Sequence, residues 1–204
     1  MQTVRFEQHP VTPSKVVCIG RNYAAHAAEL GNEIPEEMVV FIKPNSAIGT
    51  ILNAQFEGET LHYETEICFF IEQEKITGVG VGLDLTRRET QSQLKAKSLP
   101  WERSKAFNGS AVLSDFVRFD GELSSLSVSL TIDGDLVQKG GVPQMLFQPA
   151  VMVKDLLSFL TLESGDVLMT GTPKGVGPVN RGSVFEASVF SDDMLLVSAC
   201  WTSQ

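Results

Sequence analysis

The chain has 204 residues, 43% of them hydrophobic and 20% charged, with a formal net charge of -9. That length and composition exclude a disordered chain and favour one domain with a full core over two. The acidic balance lacks the basic footprint of a nucleic-acid binder, and any anionic ligand would need a local cation to overcome it.

Met1 to Pro10 carries Arg5, Glu7 and His9 and has no apolar leader, and no apolar stretch approaches membrane-spanning length. The expectation is a cytoplasmic protein with no membrane partner, residues 1–14 forming a short lead. The three cysteines, Cys18, Cys68 and Cys200, show no regular spacing. They read as free thiols, two of them inside apolar runs, rather than as a disulfide framework.

In chain order, the first β-type run is Lys15–Ile19. Asn22 is placed to cap a short helix over Tyr23–Leu30, with Gly31 as its stop. Val39–Ile42, Leu61–Ile71 and Val79–Leu83 read as strands. Thr86-Arg87-Arg88-Glu89 has the form of a capping box opening a helix to about Lys97. Leu126–Ile132 and Leu136–Lys139 flank Asp133-Gly134, which predicts a two-residue type I′ hairpin. Pro149 suits the first turn of a helix carrying Val153, Leu156, Leu157 and Leu160 at helical spacing. Val167–Thr170, Ser183–Phe190 and Met194–Trp201 complete the strands. Strands outnumber helices without regular alternation, so the fold class is α+β and β-rich rather than doubly wound.

Four segments bear on chemistry. In Leu61-His62-Tyr63-Glu64-Thr65-Glu66-Ile67 the alternation of a strand places His62, Glu64 and Glu66 on one face. Two carboxylates there, if buried, need protonation or a cation, and oxygen ligands suit a hard divalent ion. An edge strand with a solvated acidic face is the simpler account of this segment alone. Asp84 ends a strand-like run just before the second helix, a place for a third ligand or merely for a cap. His26 and Glu29, three apart on a helix, can pair so that the carboxylate orients the imidazole as a general base. Spacing alone fits a surface pair better. The loop Thr170–Pro178 has the backbone to cradle an anion but not the order of a nucleotide-phosphate loop, and Gly78–Gly82 fails the dinucleotide fingerprint.

Taken together, these segments resemble the fumarylacetoacetate hydrolase family. His62-Tyr63-Glu64-Thr65-Glu66 is similar to its HxExE metal motif, and Gly82-Leu83-Asp84-Leu85-Thr86 to its third-ligand motif. Cys18–Ala24 followed by His26 and Glu29 resembles the lid helix and dyad of the acylpyruvase branch. Leu99-Pro100-Trp101, Ser104-Lys105-Ala106-Phe107, Phe41–Pro44 and the Gly171–Gly177 loop match in the same order, from about residue 15 to 180. The resemblance implies a mixed β-sheet roll with a few short helices, a single catalytic domain over 15–204, and a homodimer. It implies Glu64, Glu66 and Asp84 as ligands to Mg2+ or Mn2+, His26 with Glu29 as base and orienting carboxylate, and Lys105 as a cation facing a small 2-oxo acid. Arg21, Arg88, Gln91 and Thr172 follow as candidate substrate-binding residues. The activity it implies is hydrolysis of a C–C bond in a 2,4-dioxo acid through a pyruvate enolate. Alternatives using the same site are oxaloacetate decarboxylation or tautomerisation and isomerisation of a hydroxymuconate-like acid, with a non-catalytic ligand-binding protein as the reading from another class.

Overall fold

The computed structural model describes all residues, 1–204. Its centre is a mixed sheet in the order Val39–Pro44, Lys15–Gly20, Val167–Met169, Thr65–Glu72, Lys75–Asp84, Ala111–Leu113 and Ile48–Gly49, with Val117–Arg118 beside Lys75–Asp84. Two pairings are parallel, Val167–Met169 with Lys15–Gly20 and Ala111–Leu113 with Ile48–Gly49; the others are antiparallel. A second, wholly antiparallel sheet runs Asp135–Gly141, Leu126–Ile132, Val184–Ser191 and Met194–Thr202. Val17, Ile67, Phe69, Ile71 and Val81 of the first pack with Leu126, Val128, Leu130, Phe185 and Val189 of the second in the main core.

The other face of the central sheet is covered too. Cys18, Cys68, Phe70 and Met169 pack there with Phe116 and with Val4 and Phe6, which come from the hairpin of Val4–Phe6 and His9–Val11 within the first 14 residues. Phe6 stacks on Phe70 with ring centroids 4.2 Å apart. Burial on both faces is why Ile67-Cys68-Phe69-Phe70-Ile71 is continuously apolar rather than alternating. The glycines at 78, 80 and 82 give this second core room, since a Cβ at each would lie within 3 Å of Phe6, Phe116 or Leu113.

Several local expectations need revision. Leu61–Ile71 is two strands, not one. Glu59–Tyr63 pairs with Thr86–Arg87 and Gly177–Pro178 in a small sheet, the chain breaks at Glu64, and Thr65–Glu72 continues in the central sheet. His62 is thereby held half-buried between Thr86 and Pro178 and lies outside the acidic site. Thr86 does not cap the second helix, which spans Arg88–Ala96. Its hydroxyl is committed to the Asp84 carbonyl and the Lys105 ammonium. Glu59 replaces it, accepting hydrogen bonds from the backbone N–H and hydroxyl of Thr90 in the helix's first turn. Asn22 likewise does not cap the helix Ala24–Glu29. Its amide ties the Phe147 backbone to the Thr170 carbonyl. Gly31 does end that helix, at φ +63, with Gly31 N–H and Asn32 N–H donating to the carbonyls of Ala28 and Ala27. Pro149 opens the helix Pro149–Leu156, and Asp133 and Gly134 both have positive φ, as a type I′ turn requires.

Gly175 links fold to site. It sits at φ +103, a Cβ there would lie 2.0 Å from the Val137 carbonyl oxygen, and its N–H donates to Glu29 Oε1 at 2.9 Å. A Gly175→Ala substitution is expected to destabilise the protein by at least about 2 kcal/mol. Urea unfolding should show a lower midpoint at unchanged slope; a wild-type midpoint would mean that this contact does not fix the loop.

Candidate active site

The acidic site arises from strand register. Asp84 N–H donates to the Glu64 carbonyl at 2.9 Å and Glu66 pairs with Gly82 across the antiparallel strands Thr65–Glu72 and Lys75–Asp84. The period of two therefore puts the side chains of Glu64, Glu66 and Asp84 on one face of the sheet, at its end. One ligand atom from each lies within 4.8 Å of the others, and Glu66 and Asp84 are only 2% and 1% exposed.

Buried carboxylates at this separation demand compensation. Lys105 supplies most of it. Its Nζ donates to Glu64 Oε2 at 2.8 Å, Asp84 Oδ2 at 2.7 Å and Thr86 Oγ1 at 2.6 Å. Lys43, entirely buried, places its ammonium 2.8 Å from Asp84 Oδ1 as an ion pair and donates to the Lys105 carbonyl. Arg88 donates through Nη2 to Glu64 and through Nη1 to Gln91 Oε1 at 2.8 Å. Burial would raise the Glu64 carboxyl, but the positive charges of Lys105 and Arg88 outweigh it and hold the group well below the usual carboxylate range. Burial lowers Lys105, yet Asp84 and Glu64 more than offset that, so its ammonium stays charged.

Glu66 is the exception. Its one neutralising contact is the Gly171 N–H, which donates to Oε2 at 2.7 Å. Burial, then the negative charges of Asp84 and Glu64, push its carboxyl well above the ordinary range. Asp84 Oδ1, buried, also lacks an aligned hydrogen-bond donor. An all-oxygen, buried, like-charged set with a strained third member fits a hard divalent cation, Mg2+ or Mn2+.

These acids form the floor of a cleft. Its walls bring together most residues singled out from the sequence: His26, Lys105, Arg21, Arg88, Gln91 and Thr172 all line it. Glu29 stands behind His26, accepting from its Nδ1 at 3.2 Å while its other oxygen takes the Gly175 N–H. With Nδ1 so engaged, Nε2 is the basic atom left to the imidazole. Thr172 is a strut: its hydroxyl donates to the Thr65 carbonyl at 2.9 Å and accepts from Gln138 Nε2 at 2.8 Å. Sequence reasoning missed Lys43, Gln138, Lys95 and the cleft-lining role of Trp101 and Phe41. A lone lysine in a strand or helix carries no signal, although Lys43 and Trp101 lie within segments already singled out.

Residues 15–198 match the family described as Fumarylacetoacetate (FAA) hydrolase C-terminal. The chain is 38% identical over 195 residues to the mitochondrial oxaloacetate decarboxylase of Dictyostelium discoideum, covering 87% of this chain and 89% of that protein. It is 38% identical over 186 residues to an oxaloacetate tautomerase of Escherichia coli, covering 83% and 85%. The solved fumarylpyruvate hydrolase of Pseudomonas aeruginosa, in complex with Mn2+ and pyruvate, superposes with a TM-score of 0.89 at 30% identity, over 99% of this chain and 95% of that one. Fold, motif order and these relatives agree, and the chain belongs to the fumarylacetoacetate hydrolase family of enzymes.

Proposed function

We propose that this chain is a divalent-metal-dependent enzyme that acts on oxaloacetate or a close 2-oxo acid, interconverting its keto and enol forms or releasing CO2 through a common enolate. The observation that carries this reading is the buried triad Glu64, Glu66 and Asp84 in one cleft with His26, which is paired to Glu29 behind it. The names of the 38% identical relatives favour oxaloacetate over the dioxo-acid hydrolysis that the sequence motifs put first. Hydrolysis is the second reading, favoured by the likeness to the fumarylpyruvate hydrolase.

The triad and the cleft fit Mg2+ or Mn2+, which when bound would supply Lewis-acid stabilisation of developing oxygen charge. The chain's own groups do the rest. His26, oriented by Glu29, takes the proton from the carbon beside the 2-oxo group and delivers it to the 2-oxo oxygen, which completes the keto-to-enol step. Lys105 adds positive field where the enolate oxygen becomes negative. All three of its N–H groups are committed to Glu64, Asp84 and Thr86, so a direct hydrogen bond to substrate requires an exchange. In the hydrolytic reading His26 instead deprotonates a water that attacks the distal carbonyl.

Chelation should abolish turnover, and Mg2+ or Mn2+ should restore it. The Glu64→Ala variant should bind Mn2+ about 100-fold more weakly by calorimetry, roughly 3 kcal/mol. Full activity of that variant after chelation and readdition would overturn the metal assignment. The His26→Ala variant should lose tautomerisation and acetylpyruvate hydrolysis by roughly 100-fold or more. Oxaloacetate decarboxylation, which needs no base, should fall less, as followed by ultraviolet absorbance. Equal loss of all three would argue against His26 as the base.

A further inference from the structure

At the acidic end of the cleft every cation is matched. Lys43 faces Asp84, Lys105 bridges Glu64 and Asp84, and Arg88 holds Glu64. Arg21 and Lys95 line the same cleft with no such match. Neither makes an ion pair or a side-chain hydrogen bond, and Arg21 Nε, like Arg88 Nε, is buried without a partner. Both stand against one ring: Arg21 Cζ is 5.9 Å and Lys95 Nζ 5.1 Å from the Trp101 centroid. Trp101 in turn tilts against Phe41, 5.9 Å away, and Phe41 carries Lys105 at 5.4 Å from its ring. The Phe41–Trp101 pair thus carries Lys105 on one ring and Arg21 and Lys95 on the other.

That arrangement is not favourable by itself. Two like charges held together repel, and contact with an aromatic face attracts each without neutralising either. Burial, then the charges of Arg21 and Arg88, hold the Lys95 ammonium down to about 8. Arg21 also occupies φ +57, a conformation that a non-glycine residue adopts at an energetic penalty and that aims its side chain from the strand end into the cleft wall. In a chain of net charge -9, such a pair is the local cation that a second anionic group would require.

We propose that Arg21 and Lys95 form a distal anion subsite that binds a second carboxylate, so that the cleft selects dianionic 2-oxo acids over monoanionic ones. This rests on the reading of the site as one for 2-oxo acids. In it, the 2-oxo carboxylate end of the substrate meets the acidic floor, and the far carboxylate spans the Phe41–Trp101 pair to the two cations. Both residues act on specificity, not on the reacting bond.

The test compares Mn2+-loaded wild type with Lys95→Met, Lys95→Arg and Arg21→Gln on oxaloacetate, a dianion, and acetylpyruvate, a monoanion. Lys95→Met and Arg21→Gln should each raise KM for oxaloacetate roughly 10- to 100-fold, the worth of a hydrogen bond to a charged group. Acetylpyruvate KM should change less than about threefold, and Lys95→Arg should restore most of the oxaloacetate loss. Either of the two neutral variants decides the matter if the other fails to fold. Equal change for both substrates, or none for either, would overturn the subsite while leaving the 2-oxo acid reading intact. A wild-type enzyme silent on both substrates would sink that reading and the subsite with it.

Discussion

The structure depends on keeping three carboxylates buried together at the end of a sheet. An isolated buried acid is expensive, and a cluster is worse unless cations and hydrogen bonds are supplied in matching geometry. Here Lys43, Lys105 and Arg88 answer Glu64 and Asp84, while Glu66 receives one backbone N–H. The imbalance falls on one residue, and it gives the cluster its appetite for a further cation. The surrounding sheet makes this tolerable. Its strands are packed on both faces, so the acids stand on a frame that resists relaxation. Cys18 and Cys68, directly beside the acids, have their thiols pushed up by burial first and then by neighbouring negative charge, which leaves them inert fillers rather than nucleophiles.

The same frame explains the division of labour among polar groups. Most side chains that line the cleft are tied to one another or to the backbone before any substrate arrives. Lys105 has no spare donor, Thr172 is strapped to Thr65 and Gln138, and Glu29 is shared between His26 and Gly175. Gln138 itself joins three segments, accepting from Thr65 N–H and donating to Thr172 and the Pro173 carbonyl. Such cross-bracing is what a site needs if reacting groups are to stay within fractions of an ångström of their working positions.

Much of this was legible in the sequence, and the limits are physical. The β-rich class, the Asp133-Gly134 turn, the Gly31 stop and the Pro149 start follow from local chemistry that tertiary structure did not override. The caps at Asn22 and Thr86 failed because those side chains found better partners elsewhere: Phe147 and Thr170 for the one, Lys105 and Asp84 for the other. Motif and resemblance named Glu64, Glu66 and Asp84, but residue spacing could not join Asp84 to the others. The hairpin that joins them turns at Gln73 and Glu74, both at positive φ without a glycine or asparagine to announce it. The partition of one apolar run into two sheets at Glu64 was equally invisible, since both halves read as strand.

What local signals could not reveal at all is charge that has no partner. A sequence shows which residues are cationic, but only the fold shows which have been neutralised. Of the cations in and beneath this cleft, three hold the acidic floor together, and their removal would leave buried negative charge unmatched whatever the substrate. Arg21 and Lys95 hold nothing together. The first group is therefore dictated by the frame, while the second is left to a bound molecule. The floor answers to the burial of its own acids, and the proposed selectivity for a second carboxylate falls to the two cations that the floor does not use.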